Sequence, residues 1–244
     1  MTEPTYVYGI VPADAEIPQD LRGLGPSGKV ETISHGRVAA LVGDVPPDRA
    51  LGTRDDLVAH ETVVDTVAAR TTVLPMRFPA VVLEEGVVEE LLAPNEEFFA
   101  EALHDLEGRQ QFTLKGTYEE ETVLREVLEG NEEVRTLRER VRDLPEDASY
   151  YDRVRLGELV VGALQELREV DAARIVERIE PVVVDLVLRE PTAPEEVVNV
   201  AFLVDRSKVE EFESTVEDVG REFAGRVRLR LLGPIAPYDF VPAE

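Results

Sequence analysis

Residues 53–82 join a helical pattern of apolar positions to an extended one, with no linker between them. Thr53 is placed to cap the helix, and Asp56, three residues later, completes a capping box. One helical face recurs at the 3,4 spacing; its members are Leu57, His60, Val64, Val67 and Thr71. The extended part predicts a strand that Pro75 and Pro79 hold at a sheet edge, interrupt or turn outward, because proline cannot donate to a ladder.

The remainder of the first half predicts a small antiparallel sheet with helices on one of its faces. Apolar alternation and β-branched residues predict three strands, which are 5–11, 29–34 and 37–42. The last two flank His35-Gly36, so we expect a hairpin with this dipeptide as its turn. Helical spacing predicts two further helical stretches, 85–92 and 95–107, and Gly108 ends the second.

The second half repeats this order with a longer helical insertion. Its predicted strands are 110–118, 182–189, 197–205 and 226–232. Two charged segments, 119–143 and 149–180, carry apolar residues at helical spacing, and Pro145 breaks them into an αα-hairpin. Ser207 and Glu210 form a capping box for a last helix. The apolar stripe of that helix is Val209, Phe212, Val216, Val219 and Phe223.

These patterns predict the α+β class, with two ferredoxin-like α/β modules and a long helical hairpin inserted in the second. We place the first domain at 1–108 and the second at 109–244. The second domain then contains the helical hairpin and a tail rich in proline and aromatic residues. At 244 residues the chain is long enough to bury a sizeable core in either arrangement.

Acidic residues are spread along the whole chain and dominate its charge. Fifty-one aspartates and glutamates against 26 lysines and arginines give a formal net charge of −25. Nucleic acids and anionic membranes bind basic patches, so we expect neither as a partner. Like charge strains a compact protein least at molar salt, where the screening length is about 3 Å. The composition therefore favours a salt-adapted, halophilic cytoplasm, and an ordinary acidic protein is the alternative.

No segment has the pattern of a membrane span or a secretory signal. The apolar runs are far shorter than the roughly 18 residues that a span needs. The first residues, MTEPTYVYGIVPADAE, lack a basic region followed by a long apolar one. We therefore expect a cytoplasmic, soluble protein.

The side chains give little support to catalytic, cofactor or metal chemistry. Cysteine is absent, and His35, His60 and His104 have no second histidine three or four residues on. His60 shares a helix face with apolar residues, which indicates a core histidine. The glycines at 23–28 match a dinucleotide loop, but a predicted strand follows them instead of a helix, so we expect a plain loop. We expect no enzyme, no metal and no cofactor.

An apolar segment framed by prolines is suited to receive another protein. Residues 74–79 place a charged side chain between large apolar ones, and the tail has two aromatic residues among prolines. A core strand, and a tail packed on its own protein, are the alternatives. The candidate partner-binding residues are Leu74, Met76, Arg77, Phe78, Tyr238 and Phe240.

Four blocks of sequence, in order, resemble the gas vesicle protein GvpL/GvpF family. They are YVYGI at 6–10, HETV at 60–63 with VLPMRF at 73–78, NVAFLV at 199–204 and GPIAPYDF at 233–240. The resemblance spans almost the whole chain. The chain departs from the family pattern at Pro79, where glycine is usual, and at Ile235, where the family usually has a tryptophan.

The resemblance implies a non-enzymatic accessory protein of gas vesicle assembly, cytoplasmic and associated with the gas vesicle. Members of the family associate with the apolar major shell protein and with other vesicle accessory proteins, at or before nucleation of the shell. The resemblance thus implies these partners, and a role in nucleation or in preventing aggregation of the shell protein. The residues alone also allow a small-ligand sensor module of ferredoxin-like fold. A pocket lined by polar groups would favour the sensor, and a flat apolar patch near 74–79 the assembly protein.

Overall fold

In the computed structural model the chain is described over residues 4–242, apart from the side chains of residues 146 and 147. The chain divides into two units. The first comprises the described residues of Met1–Phe112, Leu203–Ser207 and Leu232–Glu244, and the second comprises Thr113–Phe202 and Lys208–Leu231. The two domains predicted from the sequence, 1–108 and 109–244, are each continuous, and that division into folding domains stays a prediction.

The first sheet is built around β1, whose residues are buried on both faces. Its strands are β1 (Pro4–Pro12), β2 (Val30–His35), β3 (Val38–Asp44), β4 (Leu74–Pro75) and β5 (Val81–Leu83). They run antiparallel in the order β2-β3-β1-β4, and β5 also pairs with β1. The extended segment predicted at the end of residues 53–82 is therefore two short strands with an interruption at 76–80. Pro75 is the last residue of β4 and Pro79 lies within the interruption, as the sequence predicts for residues without a backbone N–H.

The hairpin of β2 and β3 is confirmed, but its turn lies one residue later than predicted. His35 pairs with Val38, so the turn residues are Gly36 and Arg37. Gly36 has a φ of 54°, a left-handed conformation that glycine adopts at little cost because it lacks a Cβ. The turn therefore begins at the glycine, and the predicted turn at His35-Gly36 is wrong by one residue.

Helices cover both faces of the first sheet, whereas the sequence predicted helices on one face. α1 (Arg54–Ala68) packs on the face that includes Tyr6 and Leu41. A continuous helical run packs on the opposite face; it consists of α2 (Glu84–Gly86), a π-helical stretch (Val87–Leu92) and α3 (Ala93–Asp105). β1 and β3 are apolar at consecutive positions, so both of their faces require a cover.

The second sheet contains the four strands predicted for the second half, with changed ends. They are β6 (Arg109–Tyr118), β7 (Asp185–Leu188), β8 (Glu196–Asp205) and β9 (Val227–Ile235). Their order is β7-β8-β6-β9. Backbone hydrogen bonds join the end of β6 to the starts of its two neighbours, for example Tyr118 N–H to the Glu195 carbonyl at 2.9 Å, and Arg189 N–H after β7 donates to the Asn199 carbonyl of β8, so the sheet is antiparallel.

Three helices, not two, lie between β6 and β7: α4 (Glu120–Gly130), α5 (Glu132–Arg142) and α6 (Glu146–Ile179). Asn131 separates the first two, and its Oδ1 accepts from the N–H of Val134 at 3.1 Å. The predicted single segment over 119–143 is wrong, because asparagine caps a helix better than it continues one. Although α6 is long, none of the helices in residues 4–242 is both long and apolar enough to cross a membrane.

The last helix, α7 (Val209–Glu222), has the predicted apolar stripe but not the predicted cap. Its buried residues are Phe212, Val216 and Val219, with Phe223 directly after them. A 3₁₀ turn (Arg206–Lys208) precedes the helix, and the Ser207 hydroxyl donates to Asp205. The predicted capping box of Ser207 and Glu210 is therefore wrong, since the nearby Asp205 carboxylate engages Ser207 instead.

Candidate functional site

A capping box fixes the start of α1 and hence the side chains one turn later. Thr53 Oγ1 accepts from the N–H of Asp56 at 3.2 Å, and the Asp56 carboxylate accepts from the N–H of Thr53 at 3.0 Å. Arg49 also donates to Asp56 at 2.7 Å, and this bond holds the pKa of the carboxyl well below its usual range. The capping box predicted from the sequence is confirmed.

Six side chains from three segments of the first unit enclose a pocket of about 410 Å³, which we call the Phe78 pocket. α1 supplies three of them, the segment between β4 and β5 two, and the carboxy-terminal tail one. The lining residues are Leu57, His60, Glu61, Arg77, Phe78 and Tyr238. The volume lies within the range of roughly 300–1,000 Å³ that is usual for ligand pockets.

Aromatic rings pack together beside this pocket, and we call them the aromatic cluster. They are Tyr6, Tyr8, His60, Phe78 and Tyr238. The His60 ring stacks on Tyr8 at 5.8 Å between centroids, and its centroid lies 5.8 Å from Phe78 and 6.3 Å from Tyr238. Because β1, α1, the β4–β5 segment and the tail each contribute a ring, the cluster fixes these elements around the pocket.

His60 lies at the centre of the aromatic cluster and is uncharged at neutral pH. His60 is 1% exposed, and its Nδ1 atom lies 2.9 Å from the Tyr6 hydroxyl. Burial lowers the pKa of the imidazole, and the backbone of Met76 opposes this shift. The structure therefore places His60 as the core histidine that the sequence predicts.

Hydrogen bonds on both sides of Tyr238 hold the tail against the first unit. Asp65 accepts from the N–H of Ala236 at 2.8 Å, and the N–H of Asp239 donates to Gln111 at 3.1 Å. The Tyr238 hydroxyl is buried and has no hydrogen-bond partner among residues 4–242. Burial, and then the negative charge of Asp65, raise the pKa of this phenol. The hydroxyl therefore keeps its proton and is a donor without an acceptor.

The charged residues of the pocket are Arg77 and Glu61, and both are exposed. Within the described part of the chain, no carboxylate oxygen lies within 4.0 Å of the Arg77 guanidinium. In an acidic chain, a cation without an ion pair is free to bind an anion from outside. The pocket thus combines apolar rings with hydrogen-bond donors, the Arg77 cation and the Glu61 carboxylate.

The structure brings together three of the six predicted partner-binding residues, namely Arg77, Phe78 and Tyr238. Leu74 is 2% exposed, and it packs with Met76 and Phe240 in the core cluster on the opposite face of the sheet. Leu74 is buried because β4 pairs with β1 and the Leu74 side chain enters that core, so Leu74 does not lie on the surface of the described protein. The tail packs on its own protein, which was the stated alternative for its aromatic residues.

The sequence missed three pocket residues, Leu57, His60 and Glu61. The 3,4 spacing assigned Leu57 to the buried face of α1, but it is 40% exposed. The helix instead buries Val63 beside Val64, which rotates the apolar face away from Leu57. The signal in the sequence is Val63, which lies three residues after His60 and so shares its face, and which moves the centre of that face away from Leu57.

The glycine-rich loop at 23–28 has a structural explanation. The N–H of Gly23 donates to the Gly28 carbonyl at 2.9 Å, and a Cβ on Gly25 would lie 2.7 Å from the Asp44 carbonyl oxygen. The element after the loop is the strand β2, as predicted, and not a helix. These glycines allow a tight turn and a close approach to β3.

The other two histidines lie apart from the aromatic cluster, each near one carboxylate. His35 Nε2 is 3.9 Å from Glu96, and His104 Nδ1 is 3.6 Å from Glu107. Across the described range no three acidic or imidazole side chains are grouped so that they could hold a metal ion. We take the Phe78 pocket as the candidate site, because three of the predicted partner-binding residues line it.

The fold defines the class of protein: a mixed α/β protein of two antiparallel sheets, here with an open pocket lined by aromatic and charged side chains. The same fold occurs in the crystal structure of the gas vesicle protein GvpF from Anabaena sp. PCC7120. The two chains superpose with a TM-score of 0.86 at 25% sequence identity, and 100% of each is covered.

The chain belongs to the GvpL/GvpF family of gas vesicle synthesis proteins, whose family model matches residues 4–242. Gas vesicle protein F of Streptomyces sp. strain CB03234 is 33% identical over 239 residues, which is 97% of this chain and 99% of that protein. Gas vesicle protein L of the same strain is 30% identical over 256 residues, 96% of this chain and 91% of that protein. The resemblance inferred from the four sequence blocks is confirmed, and the role of the chain is related to gas vesicles.

Proposed function

We propose that this chain is an accessory protein of gas vesicle assembly. It binds the apolar major shell protein and other vesicle accessory proteins, and it helps nucleation of the shell or prevents aggregation of the shell protein. The observation that carries the proposal is the Phe78 pocket, an open and partly apolar site in a chain of net charge −25. The acidic surface keeps a complex in solution, while the pocket supplies apolar contact.

Exposed apolar side chains on α1 and on the strand after the pocket segment support a protein partner. Leu57, which lines the pocket, and Val58 are exposed on α1, and Val81 and Leu83 are exposed on β5, directly after the segment that carries Phe78. Single exposed apolar residues are ordinary, but several on segments that follow one another in the fold are typical of a protein contact. Free energy is gained when such side chains leave water on binding.

The test is co-purification with the major shell protein at high salt from cells that produce both proteins. We expect the wild-type chain to keep the shell protein in the soluble fraction and to elute with it. Phe78→Ala should lower the recovered shell protein roughly tenfold, because truncation of an aromatic anchor commonly has this effect at an interface. Arg77→Ala should lower it to a smaller extent.

Two variants control for general damage. Phe98→Ala truncates a half-buried ring on the opposite face of the first sheet, and Arg70→Ala removes an exposed arginine outside the pocket. Both should retain the shell protein, and circular dichroism should show that all four variants are folded. If Phe98→Ala loses as much shell protein as Phe78→Ala, the pocket is not the site. If the wild type carries neither the shell protein nor another vesicle protein, the proposed function is wrong.

We also propose a ferredoxin-like topology for each sheet, with the protein acting in the cytoplasm and on the gas vesicle without catalysis or cofactor. The order β6, helical insertion, β7, β8, α7, β9 follows the β-α-β-β-α-β pattern and supports this for the second module. The first sheet has the order β1, β2, β3, α1, β4, in which a loop takes the place of the first helix. The insertion then consists of α4, α5 and α6.

A further inference from the structure

Two hydrogen-bond donors of the Phe78 pocket have no acceptor among the described residues. The Tyr238 hydroxyl is buried and unpaired, and Arg77 has no ion pair within the described residues. A buried donor without an acceptor is unfavourable, so the pocket favours a ligand group that accepts hydrogen bonds and carries negative charge.

Apolar side chains line the same pocket and select what the acceptor is attached to. Leu57 is half exposed from α1, and the ring of Phe78 is half-buried against the aromatic cluster. A small inorganic anion would leave both in contact with water. A carboxylate joined to an apolar group would satisfy the donors and cover the rings together.

We infer that the Phe78 pocket binds a segment of a partner protein that presents a carboxylate beside a large apolar side chain. The inference rests on the proposed partner-binding function and specifies its chemistry. Arg77 and the Tyr238 hydroxyl hold the carboxylate, and Phe78 and Leu57 contact the apolar side chain. Charge complementarity with Arg77, which has no ion pair among residues 4–242, argues for this occupant, while the Glu61 carboxylate in the same lining opposes it.

Glu61 gives the inference a second, opposite consequence. It lines the pocket with Arg77, and its negative charge contributes to the raised pKa of Tyr238, after burial and Asp65. A bound carboxylate is repelled by Glu61 and attracted by Arg77. Removing the Glu61 charge must therefore raise the affinity for an acidic ligand, and removing the Arg77 charge must lower it. Either change should have little effect on a neutral ligand of the same shape.

The test uses N-acetyl-phenylalanine, its neutral amide and phenethylammonium as matched probes of the full-length protein. Binding is followed by nuclear magnetic resonance of the histidine imidazoles, with His60 assigned by comparison with His35→Gln and His104→Gln. We expect the acid to shift the His60 signal and to bind at least about tenfold more tightly than the amide. Arg77→Gln should abolish this preference, and Arg70→Gln, outside the pocket, should preserve it.

Glu61→Gln should tighten binding of the acid several-fold and leave the amide unchanged. The inference is overturned if acid and amide bind equally, if the ammonium probe binds most tightly, or if no probe shifts the His60 signal at millimolar concentration. The Glu61 and Arg77 variants keep the result interpretable, because both residues are exposed and neither substitution disturbs the core.

The two proposals fail in distinguishable ways. If Phe78→Ala loses the shell protein but the acid has no advantage over the amide, the assembly function stands and the carboxylate inference is wrong. If the acid binds as expected but no vesicle protein co-purifies, the pocket chemistry stands and the proposed function is wrong.

Discussion

The carboxylate of Asp56 links the folding of α1 to pH. It accepts from the backbone N–H groups of Gly52 and Thr53 and from the Arg49 side chain. These bonds favour the charged form, and Arg49 contributes most to the lowered pKa. A carboxyl with a depressed pKa stabilises the fold above its unfolded pKa of about 4, and this stabilisation is lost as pH falls toward the folded pKa.

We expect Asp56→Asn to lower the free energy of unfolding at pH 7. The difference between the wild type and this variant should shrink below about pH 4, because the Asp56 carboxyl of the unfolded wild type then takes up a proton while that of the folded protein stays charged. Urea unfolding followed by circular dichroism between pH 2 and pH 7 measures both effects. Asp55→Asn, which changes the exposed acid beside Asp56, should change neither the free energy of unfolding at pH 7 nor its dependence on pH. A difference that grows as the pH falls would contradict this account.

The same residue pattern predicted one cap correctly and another wrongly. Thr53 and Asp56 form a capping box as their spacing predicts. Ser207 and Glu210 have equivalent spacing, yet Ser207 donates to Asp205. A capping box can be predicted from the sequence only when no closer acceptor competes for the hydroxyl. Whether such an acceptor is close depends on the path of the chain before the helix.

At the scale of elements, a buried polar group joins α6 to its neighbours in the second unit. Asp171 on α6 is 3% exposed and accepts from the Tyr118 hydroxyl and from Arg226, each at 2.7 Å. Arg226 also donates to Glu126 of α4 at 2.8 Å. Burial and the bond to Asp171 raise the pKa of Tyr118, so this phenol remains a donor. One carboxylate thereby connects α6, β6 and the residue that precedes β9.

We expect Arg226→Met to lower the free energy of unfolding by about 3 kcal/mol, because Asp171 would stay buried without its cation. Arg228→Met is the matched control. Arg228 is paired with Glu119 but its side chain is 72% exposed, so its loss should change stability by less than about 0.5 kcal/mol. Equilibrium denaturation in urea distinguishes the two. Equal effects would show that the Asp171 group is not a stabilising connection.

Elements with a strong period were predictable from the sequence. β1, β6, β8 and β9 lie where runs of β-branched, aromatic or alternating apolar residues predict strands, and the 3,4 spacing of α7 matches its buried stripe. The short strands β4 and β5 carry no period of their own. They exist because β1 offers them a pairing edge, and that edge is visible only in the folded sheet.

At the scale of the whole molecule, a formal net charge of −25 works against compactness. Described ion pairs neutralise some of the acidic side chains, as Arg178 and Glu222 do, but arginines and lysines are about half as numerous as acids. The excess negative charge repels itself over distances that depend on salt. The screening length is about 10 Å at 0.1 M and about 3 Å at 1 M.

We expect the melting temperature to rise by several degrees between 0.05 M and 2 M potassium chloride, because screening reduces the repulsion among acids in the folded state. Each kcal/mol of stabilisation corresponds to roughly 2–4 °C for a chain of this size. Differential scanning calorimetry measures the shift, and sodium chloride should give the same rise if screening is the cause. A melting temperature that is constant or falls with salt would contradict the hypothesis of salt adaptation.

By itself the sequence determined the main elements, the acidic charge and the family, since period, composition and the order of motifs are read along the chain. Only the tertiary structure decided how the pocket forms. Pairing of β4 with β1 buries Leu74, the interruption that follows brings Arg77 and Phe78 to α1, and the tail brings Tyr238 to the same place. These segments are far apart in sequence, and their contacts depend on how the core fills space, which no local pattern encodes.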